Sequence, residues 1–175
     1  MFTLGVGYIL AHYMSNEITA ALVGAVVGVV VSFSLTFFTE WWKGRARRRA
    51  HWAALGAEMN YGRDLATTYL SDKPAAPLYR LPIVAYAHSL PALLTAAAID
   101  EPDTRTLLVF FNEVATLNRG LDQVDRARLI TDPVERDRNI DAEYRRNRLK
   151  AEPLAGEYYY RARAVVDSRL HWYKF

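Results

Sequence analysis

ITAALVGAVVGVVVSFSLTFF, residues Ile18–Phe38, runs for 21 residues without a charge, and Glu40, Trp41, Trp42 and KGRARRR follow at once. At ~1.5 Å of rise per residue it makes a helix of ~31 Å, enough to cross the ~30 Å hydrocarbon core of a bilayer. Helices buried in soluble proteins seldom run this far with nothing more polar than Ser or Thr. Nor do they usually end in an aromatic pair followed by five cations, as interfacial anchors do. Residues 18–42 therefore read as a transmembrane anchor.

The flanks give its direction. No Lys or Arg precedes Lys43, whereas Lys43, Arg45, Arg47, Arg48 and Arg49 crowd the far end. The positive-inside rule then places the N-terminus outside and everything after Trp42 in the cytoplasm. A cleaved signal peptide carries its charge ahead of a shorter apolar core, so the anchor is read as uncleaved. Trp41, Trp42 and the five cations form the expected membrane-interface group. Each cation attracts anionic lipid headgroups by about 1 kcal/mol near the surface.

Inside the span small residues recur every fourth position, at Ala20, Gly24, Gly28, Ser32 and Thr36. In lipid, where apolar burial gives no net drive, such a stripe lets a second helix approach to near backbone contact. It is the expected helix-packing face, for another transmembrane helix in a hetero- or homo-oligomer. The valines, Leu22, Phe33, Leu35 and Phe37 are left for acyl chains.

Ahead of the anchor, residues 1–17 read as a separate apolar segment on the outer face or interface. Ser15 or Asn16 would cap the anchor helix, with Glu17 at its positive end. Beyond the anchor, Trp52, Leu55, Met59, Gly62, Ala66 and Tyr69 continue in helical steps of three and four. The proline-rich 71–82 reads as a loop. A buried helix over 83–99 follows, kinked or divided at Pro91. The clearest heptad lies between Pro102 and Ile130: Leu107, Phe110, Val114, Leu117, Leu121 and Val124, the expected bundle core, with Leu108, Phe111 and Leu129 broadening the face. Asp132 before Pro133 marks a restart. The stretch to Lys150 is of mixed charge, a solvated helix with pairs such as Asp141–Arg145. Pro153 reads as the start of a last helix whose face carries Leu154, Tyr158, Arg161, Val165, Leu170 and Trp172. Its aromatic terminus, HWYKF, is expected to pack on the core. The fold class is all-α: a single N-terminal transmembrane helix continuing into a small cytoplasmic bundle, residues 43–175, of about four helices.

Chemistry is harder to find. His12, His51, His88 and His171 are scattered without the i+3 or i+4 partner of a helical metal site. His51 reads as interfacial and His88 as a core residue. Asp100, Glu101 and Asp103 read as helix-start acids rather than a paired-carboxylate site. Glu58, Asn60, Arg63 and Asp64 read as a surface or interhelix network. The chain has no cysteine, which removes thiol nucleophiles and fits a reducing compartment. Phosphate-loop, dinucleotide, GxSxG and HExxH motifs are missing too. No catalytic residue, metal or cofactor is expected, and the mixed charge argues against nucleic acid as a partner.

The layout of one anchor, a basic stop and a short helical domain resembles that of single-anchor bacterial membrane proteins, a likeness of architecture that carries no activity with it. The expectation is a non-enzymatic accessory, structural or assembly subunit of a larger complex in the bacterial inner membrane. The alternative is a self-associating regulatory or sensory module that recruits a cytoplasmic effector.

Overall fold

The computed structural model describes residues 3–70 and 79–172, with side chains from residue 21 onward. Among them every regular element is a helix: α1 (Thr3–Tyr69), α2 (Val84–Thr95), α3 (Glu101–Ala127), α4 (Pro133–Ala155) and α5 (Glu157–Trp172). The chain divides into two compact units, Met1–Arg45 and Ala46–Phe175, and α1 contributes to both.

In unit 1 the helix begins at Thr3, not at Ile18 behind a cap at Ser15 or Asn16. Nothing between Met1 and Glu17 is a proline, so no residue forces the backbone hydrogen-bond ladder to stop there. From Ala21 to Trp42 every residue is exposed, including Phe33 at 73 % and Val29 at 69 %. This is one helix long and apolar enough to cross a membrane.

Unit 2 is a bundle whose core is drawn from all five helices. The 46–69 portion of α1 buries Trp52, Leu55, Met59, Ala66 and Tyr69; α3 buries Leu107, Phe110, Phe111, Val114, Leu117, Leu121 and Val124. Leu90 and Leu93 of α2, Ala151 and Leu154 of α4, and Tyr159, Ala162 and Val166 of α5 complete it. Of the residues expected to broaden the α3 face, Phe111 is buried, while Leu108 is 37 % exposed and Leu129 82 %. Leu129 falls in the turn after the helix, where the 3.6-residue register no longer applies.

Cross-helix bonds set the directions. Tyr69 donates its hydroxyl to the Tyr79 carbonyl, Glu58 accepts from the N–H groups of Ala85 and Tyr86, and His51 meets Ser89. As the chain advances from 79 to 89 its partners retreat from 69 to 51, so α2 runs back along α1 toward Ala46. Likewise Tyr159 bonds Asn60 while Arg163 reaches Gly56, so α5 also runs toward Ala46. Arg169, near the end of α5, ties to Asp100 and Asp103 at the start of α3.

Several boundaries differ from expectation for local reasons. α2 closes at Thr95 because Ala97 turns left-handed (φ 47°), with its N–H on the Leu94 carbonyl and that of Ala98 on the Leu93 carbonyl. That double bond is the usual helix-ending motif, here with alanine where glycine is commoner. Pro91 stays inside a single α2. Asp100 and Asp132 cap α3 and α4 as expected, bonding the N–H groups of Asp103 and Val134. Pro153 does not open the last helix. It sits in the final turn of α4, and the break comes at Gly156. A Cβ there would lie 3.3 Å from the Glu152 carbonyl oxygen. The break resets the register, so α5 buries Tyr159, Ala162 and Val166, while the expected Tyr158, Val165 and Leu170 are half-buried against the core and Arg161 is exposed. On α4 the spacing-three pair Glu143–Arg146 forms; Asp141–Arg145 is not among the ion pairs.

Candidate interaction surfaces and the polar ties behind them

The residues of the expected helix-packing face are as exposed as the rest of the apolar helix. Gly24, Gly28, Ser32 and Thr36 are exposed, while the side chain of Ala20 lies outside the described residues. A Cβ placed on Gly24 or Gly28 would meet no atom within 4 Å. Their small size therefore serves no packing among the described residues. Thr36 turns its hydroxyl to the Ser32 carbonyl at 2.9 Å, which satisfies it within its own helix and leaves its methyl outward.

At the end of the span the aromatic residues gather. Phe38 lies 6.0 Å from Trp41 and 6.1 Å from Trp42 between ring centroids, and the two indoles are 6.4 Å apart. The Arg45 guanidinium stands 5.6 Å over the Trp41 ring, and Lys43 reaches Glu40 at 3.1 Å. Trp41 is 44 % and Trp42 60 % exposed. An amphipathic ring beside a cation is the pairing that suits a headgroup layer, where one side is apolar and the other wet. Arg47 and Arg49 are exposed at the start of unit 2, with Arg48 half-buried.

In unit 2 the polar side chains converge on other helices. Glu58, 8 % exposed, accepts from Ala85 at 2.8 Å and Tyr86 at 2.7 Å. α2 has no capping side chain of its own, so Glu58 supplies both a cap and a negative charge to its positive end from across the bundle. Asn118 of α3 does the same for the connector, accepting from the Leu81 N–H and donating to the Leu81 carbonyl, both at 2.8 Å. Arg80 meets Asp122 one turn further on. Asn60 accepts from the Tyr159 hydroxyl at 2.9 Å and from Arg163 at 3.2 Å, while Arg63 lies 4.8 Å over the Tyr159 ring. The expected polar patch thus joins α1 to α2 and α5. Its partners lie too far along the chain for spacing to reveal them.

Three titrations follow from these ties. The Asp103 N–H on its carboxylate holds Asp100 below the ordinary range, burial opposes this, and Arg169 adds to it. Arg169 is pushed up, first by its bond to Asp103. Burial raises the Tyr69 phenol.

The histidines exchange their expected places. His88 is exposed, whereas His51 is half-buried, its Nδ1 3.2 Å from the hydroxyl of buried Ser89. Trp172 is 79 % exposed, not packed on the core, and Tyr173–Phe175 lie outside the described residues. A shallow groove of about 190 Å³ between α3 and α5 is lined by Arg105, Thr106, Val109, Tyr158 and Arg161. Thr106 bonds the Pro102 carbonyl and Arg161 pairs with Glu157 at 2.6 Å. Among the described residues no three His, Asp or Glu side chains gather as metal ligands. In comparisons with known proteins, no family model, curated protein or solved structure matches this chain.

Proposed function

We propose that the protein is a non-enzymatic, single-pass membrane protein of the bacterial inner membrane. Its N-terminus lies outside, its bundle is cytoplasmic, and it serves as an accessory or assembly subunit of a larger membrane complex. The observation that most supports this reading is the unused notch at Gly24 and Gly28. An exposed apolar helix is covered by lipid, and glycines with open space above them offer a second helix close approach. The polar side chains of unit 2 support the same reading, since Glu58, Asn60, Asn118 and Arg169 are occupied in joining helices. Anionic headgroups are the lipid partner of Lys43 to Arg49, and nucleic acid is not.

The test is purification from native membranes in mild detergent, with the mass and protein composition of the eluate measured. A stoichiometric second protein is the expected result; a monodisperse monomer sinks the proposal. The same notch also fits a second copy of this chain, and a homo-oligomer alone would shift the reading to a self-associating regulatory module.

A further inference from the structure

We propose that unit 2 has a lipid-contacting surface of its own, formed by the α2–α3 corner and the end of α5 and seated in the headgroup layer. The inference rests on the reading of residues 18–42 as a bilayer span.

The chain from Leu81 to Ile99 carries no Asp, Glu, Lys or Arg over 19 residues. Its buried side is accounted for by Leu90 and Leu93, yet Leu94 is 48 % exposed and Ala96 and Ala97 are exposed beside it. Trp172, 79 % exposed, stands at the end of α5. Arg169 brings that end to this corner through Asp103 at 3.0 Å and Asp100 at 2.7 Å, pairing with two of the three acids that border it and leaving Glu101 exposed.

Position and charge select the occupant. Both α2 and α5 run toward Ala46, so the corner lies at the end of unit 2 where the chain enters. Arg47, Arg48 and Arg49 of the basic stop are themselves part of the first turns of that unit. Exposed Arg47 and Arg49 supply cations complementary to anionic headgroups at the same end. An uncharged apolar corner, an exposed indole and arginines are the composition of an interfacial surface. The opposite turn also exposes apolar side chains, Leu129 at 82 % and Val134 at 80 %. It sits among Arg126, Arg128, Asp132 and Glu135, and serves as the aqueous control.

The cysteine-free chain allows single nitroxide labels in the full-length protein. Phe33→Cys, Leu94→Cys, Trp172→Cys and Leu129→Cys would be labelled in liposomes containing phosphatidylglycerol. Collision rates with oxygen, which concentrates in lipid, and with a water-soluble nickel chelate would then be compared. The expected order from lipid to water is Phe33, then Leu94 and Trp172, then Leu129. If Phe33 lies in lipid while Leu94 and Trp172 match Leu129, this proposal fails and the span stands. If Phe33 is also aqueous, both fall together. Shielding of Leu94 and Trp172 from both reagents would assign the corner to a protein partner and overturn the lipid assignment. Trp172, on a different helix, keeps the test decisive if Leu94→Cys does not fold.

Discussion

Single side chains in unit 2 are held by contacts that make sharp substitution tests. At Gly120 an added Cβ would lie 1.8 Å from Oδ1 of Asn147, a residue 1 % exposed. Neither polar atom of the Asn147 amide has a hydrogen-bond partner, so the amide fills the glycine notch by shape alone. Gly120→Ala should therefore cost about 1–3 kcal/mol by overpacking. Gly120→Ala with Asn147→Ala should recover most of that loss, because the second change removes the clash along with a buried orphan amide. Thermal unfolding of the four members of that cycle reads the coupling, and additivity would refute the lock. Asp100 predicts a pH effect. Its carboxyl is depressed in the folded state, so its contribution is complete above the ordinary value of about 3.9 and is lost as pH falls through the lower native value. Asp100→Asn can still cap α3 but should flatten the acid limb of a melting-temperature curve. The Asp100 cap was legible because its partner is three residues away. Asn147 was not, since nothing in its own helix announces the glycine facing it.

Among the elements, legibility tracked how local the cause was. α3 was readable to within a turn because its apolar heptad and its cap both lie within it. The start of α2 was read to within a residue although its cap comes from Glu58, 27 residues upstream of Ala85; its close, expected at Ile99 and found at Thr95, depends on a left-handed alanine. Ala97→Gly should stabilise the fold by about 1 kcal/mol, the cost of holding an L-residue in that conformation. Glu58→Gln keeps the shape but replaces one acceptor with a donor facing an N–H. It should destabilise by about 1–3 kcal/mol. Chemical denaturation measures both changes, and equal stability of Glu58→Gln and the parent would remove Glu58 as the cap of α2. The start of α5 was misplaced for a related reason. Pro153 is a stronger sequence signal than Gly156, yet α4 carries on through it to Ala155 and breaks at the glycine.

At the scale of the whole molecule, the helix able to cross a membrane and the all-α bundle were both legible, since hydropathy and periodicity survive any arrangement of neighbours. The pairing of the helices was not, because Asn60, Arg63, Asn118 and Arg169 act through residues far off in sequence. Unit 1 predicts a separation of effects. A Cβ at Gly24 or Gly28 meets open space, so with both replaced by Leu the detergent melting temperature of the bundle should hold while the sedimenting mass of the purified assembly falls. Unchanged mass would leave the glycine notch without a role in assembly. The ties around α2 and α5 also impose a timetable on synthesis. Glu58 leaves the ribosome before the amides it receives, so α2 finds its cap waiting. Arg169 emerges 66 residues after Asp103, and until it does Asp100 and Asp103 lack their cation. A nascent bundle is thus unclosed until its fifth helix is out, and a ribosome that stalls within that helix would leave an open core for quality control to remove.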